Sequence, residues 1–404
     1  MIDDKLDLNG FEKIRKFPEE YETYDFLSVC DTLITDYSSV MFDYSILRRP
    51  MIFFMYDIEE YRGQLRDFYI EPDILPGPIV STQDEVEEEL EKAFSAPFVC
   101  DERYQAFCEK FTYLDDANAA KRVVEAIIAP QEQAAPQPAR LVRYRKRQRV
   151  IGKLRSWKNK LKNGILKRLR YANYLNKPLQ ENSILLEAQQ GKSMDGNVYA
   201  LLCELAKGTE YQGYRLYLTC LKENRKKFEK QLKALGMTKV TLLVRNSVSY
   251  YKVLATAKHL ITDTSFVFNF VKREGQVYLN TWHGTPLKTL GKSVKGEAHT
   301  IGNVQKNLLA ADYLLFPNEF TMNHMIEDHM LRNIGTGEIW LTGYPRNEVF
   351  FRKEEREQLR RTYGLEGKTV YADLARHGRK RIENSAGKAA DRVFDGAGCG
   401  TFGT

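Results

Sequence analysis

The 404-residue chain is predicted to have an α/β fold built on parallel sheets. Short apolar segments alternate with helical segments along most of it, which is the pattern of βα units. Its content of 43% hydrophobic and 12% aromatic residues is enough for packed cores, and its length allows two or three domains. The βα-alternating second segment holds no Gly-x-Gly-x-x-Gly, so a nicotinamide-dependent enzyme has no support.

The first segment, residues 1–128, contains a buried strand that leads into a polar helix start. Residues 26–36 carry apolar side chains into that strand, and Asp36-Tyr37-Ser38-Ser39 then opens a helix predicted over 40–47. Serine hydroxyls and free backbone N–H groups at a helix start attract phosphate. Ordinary N-capping by these serines is the alternative interpretation, because Ser and Asp are favoured there in any helix.

A linker and a basic segment follow. Residues 129–139 hold three prolines among Gln and Ala, a composition typical of linkers. Residues 140–170 hold fourteen Lys or Arg and no acid, with apolar residues and Trp157 at helical spacing. Such a helix could bind an anionic membrane surface, pack on the next domain, or bind nucleic acid. Nucleic acid is disfavoured because no aromatic platform accompanies the charge.

The second segment, residues 177–370, has the regular βα alternation of a parallel sheet. Strands are predicted at 183–188, 214–219, 240–244, 259–262, 277–279 and 313–316, and helices at 197–207, 225–235 and 250–257. Gly191-Lys192-Ser193 is not a phosphate-binding loop, because Leu186 stands where that loop needs its first glycine.

The strand at 277–279 leads into the stretch that organises the chain, Thr281-Trp282-His283-Gly284-Thr285-Pro286-Leu287-Lys288. Open parallel sheets place their chemistry at this end of a strand. His283 is therefore a candidate general base, and Gly284 would let a substrate approach the backbone; a hydrogen-bonded structural histidine is the alternative. His324 and His329 are five residues apart and cannot share a helix face, so they predict no metal site.

These motifs resemble those of the CDP-glycerol glycerophosphotransferases, the enzymes that build poly(glycerol phosphate) teichoic acids on the inner face of bacterial membranes. The stretch at 281–288 carries the resemblance, and eight further stretches extend it: 33–43, 49–53, 56–69, 76–78, 107–128, 260–265, 271–276 and 342–347.

The resemblance implies a GT-B-like fold with two facing Rossmann-type domains, a donor domain and an acceptor domain. It implies that Ser38 and Ser39 hold the donor pyrophosphate, that Asp43 and Arg346 make further donor contacts, and that His283 is the base. Gly284, Thr285, Pro286 and Leu287 are then expected to line the substrate site. A guanidinium in a rigid turn suits a phosphate oxygen pair, although Arg346 could instead form a surface ion pair.

In the family the acceptor domain precedes the donor domain, whereas here the order is reversed. Residues 1–128 are therefore predicted to be the C-terminal half of a donor domain, 129–176 a linker with the basic helix, and 177–370 the acceptor-type domain of a second module. Family members continue past the equivalent of Val370 with Pro-Thr-Trp-Arg-Gly. One permitted codon set for 372–378, read one base later, encodes that sequence, so 371–404 is expected to be an out-of-frame, disordered tail.

The resemblance implies transfer of glycerol phosphate from CDP-glycerol to a lipid-linked teichoic acid acceptor, with release of CMP. No obligatory metal and no cofactor are expected. The amino terminus lacks the features of a signal peptide, and no run of about eighteen apolar residues occurs, so a peripheral protein at the cytoplasmic face of the membrane is expected. A second copy of the chain is a candidate partner. The alternative function is a catalytically incompetent remnant that binds membrane or nucleotide.

Overall fold

The structure is a computed structural model. It describes residues 22–58, 68–129, 171–294 and 301–372 with their side chains, and the backbone of 14–16, 373–374 and 398–402. The predicted basic helix at 140–170 lies outside these residues, as does most of the predicted linker.

The described strands are β1 Ile14–Lys16, β2 Thr32–Thr35, β3 Met51–Phe54, β4 Ile79–Val80, β5 Gln180–Glu187, β6 Arg215–Cys220, β7 Thr241–Val244, β8 Ala257–Thr262, β9 Val277–Asn280, β10 Tyr313–Phe316, β11 Glu338–Leu341, β12 Thr369–Leu374 and β13 Gly398–Phe402. The described α-helices are α1 Thr23–Val29, α2 Val40–Tyr44, α3 Gln83–Ser95, α4 Glu102–Phe111, α5 Ala119–Ile128, α6 Gly196–Lys207, α7 Arg225–Ala234, α8 Val248–Thr256, α9 Gly302–Ala310, α10 Glu319–Asp328 and α11 Lys353–Thr362.

The larger sheet has seven strands in the order β11-β10-β9-β8-β5-β6-β7, and every described pairing in it is parallel. Strands β9 and β10 are buried along their whole length, as expected for a sheet that is covered on both faces. The chain runs outward from β5 to β7 and then returns to β8 on the other side of β5. The strand order therefore reverses between β5 and β8, which places the crevice of the sheet at their carboxyl ends.

The smaller sheet has the order β1-β13-β12-β2-β3-β4. Strands β12, β2, β3 and β4 run parallel, and β13 runs antiparallel to both β1 and β12. The α/β fold class with parallel sheets is thus confirmed. None of the described helices has the length and apolar character needed to cross a bilayer.

The two cores exchange elements, which differs from the predicted division at 1–128 and 177–370. Helix α5 belongs to the first segment, yet its Val123, Val124 and Ile127 are buried in the core of the larger sheet. Strand β12 follows the larger sheet in sequence, yet it pairs with β2, with Leu33 opposite Ala372. Apolar side chains at these positions have no other core to enter, so hydrophobic burial rather than chain order sets the domain boundaries.

Helix α11 joins the first segment in the same way. Arg356 lies 3.0 Å from Asp31, Arg360 donates to the Val29 carbonyl at 2.8 Å, and the Phe26 and Tyr363 rings meet edge to face. The expected disordered tail at 371–404 also differs from the structure, because residues 371–374 complete β12 and 398–402 form β13. The Val370 amide donates to Asp31 Oδ2 at 3.0 Å, so β12 is fixed to the first segment where it starts.

Candidate active site

The site is built around the turn that leaves β9 at the carboxyl edge of the larger sheet. Trp282 has a φ of +52°, an uncommon conformation for a bulky residue. Its backbone N–H donates to Asn280 Oδ1 at 3.0 Å, and its carbonyl accepts from Asn197 Nδ2 at 3.3 Å. Backbone strain of this kind persists only where neighbours hold it, and it is concentrated at functional sites.

His283 follows directly and is half-buried. Its Nδ1 lies 2.9 Å from the carbonyl oxygen of Asp263, the first residue after β8. A carbonyl only accepts, so Nδ1 carries the proton and the neutral ring presents its lone pair on Nε2. The indole of Trp282 lies against the imidazole at 4.1 Å between ring centroids. The ring is thus held in one tautomer with Nε2 as the basic nitrogen.

The serine motif of the first segment meets this turn. A Cβ placed on Gly284 would lie 3.2 Å from Ser39 Oγ, so the hydroxyl packs directly against the glycine. Ser39 makes no capping bond to α2, whereas the Ser38 hydroxyl accepts from the Val40 N–H at 3.4 Å. Capping, the alternative interpretation for these serines, therefore fits Ser38 and not Ser39. The structure brings Ser39, His283 and Gly284 together from segments that are distant in sequence.

Arg346 and Asp43 form a buried ion pair behind the turn. Arg346 Nη2 lies 2.7 Å from Asp43 Oδ2, and Arg346 Nη1 donates to the His283 carbonyl at 2.9 Å. The guanidinium is 8% exposed and lies between the rings of Tyr24 and Tyr344. Arg346 is therefore not in a surface ion pair. The predicted donor contacts of Asp43 and Arg346 stay predictions; what the structure assigns to them is support of the His283 backbone.

The three residues after Gly284 are buried where the two cores meet: Thr285, Pro286 and Leu287. The Thr285 hydroxyl accepts from Thr321 Oγ1 at 3.2 Å, and the Leu287 carbonyl accepts from the Tyr69 N–H at 2.9 Å. The Leu287 side chain packs in the core of the first segment. Their predicted substrate contacts remain predictions, since the geometry gives these three residues a packing role.

Two carboxyl groups near the turn are buried deeply enough to hold a proton. Burial, with the negative charge of Asp195 adding to it, raises the pKa of Asp263 to about 7 although Asp263 accepts a hydrogen bond from the Gln189 N–H. Burial also raises the pKa of Asp115 to about 7, against the opposing bonds from Asn347 and the Tyr344 N–H. Both sit in an environment of low polarity, which strengthens the electrostatic contacts around His283.

Four residues around the turn were not predicted to belong to the site: Asn197, Asn280, Tyr24 and Asp263. Asp263 and Asn280 carried a usable signal, because polar residues that end neighbouring parallel strands share one edge of the sheet. Asn197 and Tyr24 carried none, since their contacts form only in the folded chain. Among the other histidines, His324 stacks on Tyr69, and His329 Nδ1 lies 3.2 Å from the Met325 carbonyl. Within the described ranges no three His, Cys, Asp or Glu side chains are arranged to hold a metal ion.

Comparison with known proteins identifies the family. The model of the CDP-Glycerol:Poly(glycerophosphate) glycerophosphotransferase family matches residues 3–129 and 169–372. The chain belongs to this family. Both the serine motif and the His283 turn fall inside the matched residues.

Two curated members of the glycerophosphotransferase family show the extent of the likeness. The teichoic acid poly(glycerol phosphate) polymerase of Bacillus subtilis (strain 168) is 37% identical over 129 residues, which is 31% of this chain and 17% of the relative. The teichoic acid glycerol-phosphate transferase of Staphylococcus aureus (strain NCTC 8325 / PS 47) is 39% identical over 104 residues, 26% of this chain and 27% of the relative. The match thus spans less than a third of either relative.

A solved structure of the wall teichoic acid polymerase TagF is also similar. It is 22% identical, with a TM-score of 0.40, over 51% of this chain and 50% of the polymerase.

Proposed function

We propose that the chain transfers glycerol phosphate from CDP-glycerol to a lipid-linked glycerol-phosphate acceptor and releases CMP. The observation that supports this most directly is the contact between Ser39 and Gly284, beside the base His283. The serine motif would hold the donor, and the turn would hold the attacking hydroxyl. A donor phosphate and an acceptor oxygen can react only where two such elements meet.

In the proposed step, Nε2 of His283 takes the proton of the terminal acceptor hydroxyl. The oxygen then forms a bond to the β-phosphorus, and the bond from that phosphorus to the bridging oxygen breaks with its electron pair, so that CMP leaves. The hydroxyls of Ser38 and Ser39 would donate to the phosphate oxygens as charge builds on them. Donors placed in this way are worth about 2.7–4 kcal/mol each where water is excluded.

Arg346 would contribute through the backbone. Its Nη1 holds the His283 carbonyl at 2.9 Å, and its positive charge lies close to the place where phosphate charge would develop. Asp43 balances that charge when no substrate is present, because it lies 2.7 Å from the other terminal nitrogen. The pair thus keeps the site assembled before the donor binds.

The decisive experiment measures CMP release from CDP-glycerol with a soluble glycerol-phosphate acceptor. In His283→Asn the amide occupies the place of the first atoms of the imidazole ring but has no basic nitrogen. CMP release is therefore expected to fall at least about 100-fold. His324→Asn, on α10, is the matched control and should retain activity. Equal activity of His283→Asn and the parent would refute the base. No CMP release from the parent chain would favour the incompetent remnant, and release from CDP-ribitol alone would change the donor.

The same proposal places the protein on the cytoplasmic face of the membrane, where a lipid-linked acceptor lies. The basic segment 140–170 ends next to Tyr171, whose hydroxyl donates to the Val271 carbonyl at 2.7 Å. Val271 lies on the loop between β8 and β9. On this loop Phe268 is 66% exposed and Val271 is 63% exposed, and Lys306 Nζ lies 5.0 Å from the Phe268 ring. Exposed apolar side chains, on a loop that contacts the residue following a run of cations in the sequence, suit an anionic bilayer, where each cation near the surface contributes roughly 1 kcal/mol.

Sedimentation with vesicles tests the membrane contact. We expect binding to phosphatidylglycerol-containing vesicles, weaker binding to phosphatidylcholine alone, and loss of binding at high salt. Phe268→Ser with Val271→Ser should weaken binding, whereas Val99→Ser, at a residue that is 79% exposed elsewhere, should not. Equal binding of the parent, the Phe268→Ser/Val271→Ser variant and Val99→Ser would exclude the loop from the membrane contact. Binding that does not depend on anionic lipid would exclude the basic segment.

A further inference from the structure

Asn197 lies in the first turn of α6 and is 1% exposed. Its Nδ2 donates to the Trp282 carbonyl at 3.3 Å, and its Oδ1 accepts from the Arg346 backbone N–H at 3.4 Å. We propose that Asn197 is a positioning residue that fixes the His283 turn relative to Arg346 and thereby sets the place of the base. This inference rests on the proposed transferase activity.

The contacts around Asn197 form a closed ring. From Asn197 the ring passes to the Trp282 carbonyl and along the chain to His283, whose carbonyl accepts from Arg346 Nη1 at 2.9 Å. It then returns through the Arg346 backbone to Asn197 Oδ1. Because the ring is closed, His283 cannot shift relative to Arg346 without breaking one of its hydrogen bonds. Asn197 is the member that comes from a third element, α6, and it ties the other two to the sheet.

The strain at Trp282 makes this support necessary. A non-glycine residue with a φ of +52° is strained and relaxes unless its neighbours hold it. The Asn280 side chain holds the N–H of Trp282, and its carbonyl accepts from both Thr281 Oγ1 at 3.0 Å and Asn197 Nδ2 at 3.3 Å. Of these donors, Asn197 is the one that comes from a separate element. Relaxation of this peptide would rotate the next residue, His283, away from the Asp263 carbonyl that orients its ring.

The Asn197 amide matches the two backbone groups that it joins. The Trp282 carbonyl can only accept and the Arg346 N–H can only donate, so the side chain between them must offer one donor and one acceptor. An ionised carboxylate of the same shape offers acceptors alone, and an apolar side chain offers neither. Without the amide, the buried Arg346 N–H loses its acceptor, and the Trp282 carbonyl keeps only the Thr281 hydroxyl, which donates to it at 3.0 Å.

Asn197→Asp tests the inference because its effect depends on pH. At neutral pH the introduced carboxylate cannot donate to the Trp282 carbonyl, and kcat for CMP release is expected to fall about 10- to 100-fold while KM for CDP-glycerol changes by less than about twofold. As the pH is lowered, the carboxyl gains a proton and can donate again. The ratio of variant to parent kcat should therefore rise towards acid.

Asn307→Asp is the matched control. Asn307 is 0% exposed, and its amide accepts from the Phe266 N–H and donates to the Asn303 carbonyl in the same domain. Its replacement should lower Tm but leave kcat per folded molecule and the pH dependence unchanged. A fall in Tm alone for Asn197→Asp, a change confined to KM, or a flat kcat ratio would overturn the positioning role.

A second readout needs no activity. Diethyl pyrocarbonate acylates imidazoles, and peptide mass spectrometry resolves each histidine. Asn197→Asp should change the acylation rate of His283 several-fold and leave that of His324 unchanged, while Asn307→Asp should change neither. An unchanged His283 rate would overturn the inference. If the parent chain releases no CMP but the His283 rate still responds, the proposed function fails and the positioning role stands.

Discussion

The buried pair Arg346–Asp43 allows a quantitative test of how the two cores are joined. The perturbation is a double-mutant cycle with Asp43→Asn, Arg346→Met and both together. The paired atoms are 2.7 Å apart, and the side chains are 7% and 6% exposed. Two charges in contact at an effective dielectric constant of about 20 attract by about 4 kcal/mol. Each single change would leave one charge without its partner, and this typically costs 3–5 kcal/mol, or about 4 kcal/mol here.

The double variant removes both charges, so it should cost far less than the sum of the single changes. Asp43 also accepts from Tyr24 and Asn347, and Arg346 also holds the His283 carbonyl, so some cost persists. We expect about 4 kcal/mol for each single variant and about 5 kcal/mol for the double. The coupling energy is then about 3 kcal/mol.

Urea unfolding, followed by circular dichroism and tryptophan fluorescence, measures the free energy of unfolding of the parent, the two single variants and the double variant. The exposed pair Arg225–Glu229 on α7 provides the control cycle, because its side chains are 54% and 51% exposed and its coupling should not exceed about 0.5 kcal/mol. A coupling for Arg346–Asp43 as small as the control would mean that the pair is open to water. The argument that it joins the cores and supports His283 would then be wrong.

Three further predictions concern single positions. Gly284→Ala should lower kcat/KM for CMP release about 10-fold, because the new methyl would lie 3.2 Å from Ser39 Oγ; an unchanged kcat/KM would contradict close packing of the two residues. Leu287→Ala should lower the free energy of unfolding by about 2–5 kcal/mol, since Leu287 is 5% exposed, whereas Leu341→Ala, 37% exposed, should cost clearly less in the same urea titration. Burial raises the pKa of Asp263 to about 7. Between about pH 4 and pH 7 the folded protein therefore keeps a proton on this carboxyl that the unfolded chain has released. The free energy of unfolding falls as the pH rises through this range. Asp263→Asn should therefore reduce the loss measured between pH 4 and 8 by roughly 4 kcal/mol, and an unchanged pH profile would contradict the burial.

Local patterns in the sequence predicted the elements well where one rule dominated. The strand at 313–316 is observed as β10 Tyr313–Phe316, and the helix predicted over 40–47 is observed as α2 followed by a 3-10 turn at Ser45–Leu47. In both cases an apolar run and its polar boundary lie next to each other in the chain.

The pairing of β2 with β12 was not predictable in this way. Periodicity shows that a strand is buried but not which strand lies beside it, and these two are more than 330 positions apart. The site shows the same division. His283 could be proposed from the sequence because it follows a strand end and precedes a glycine, whereas the role proposed for Asn197 depends on two backbone groups that approach it only in the folded protein.

The exchange of elements between the two cores has a consequence for fragments of this protein. Cutting the chain between residues 130 and 170 would give two pieces that still share elements. Helix α5 of the amino-terminal piece would remain in the core of the larger sheet, and β12 of the carboxyl-terminal piece would remain paired in the smaller sheet. Such nicked halves should copurify as a complemented pair. Either half produced alone would expose an unfilled apolar groove and an open sheet edge, which favour aggregation.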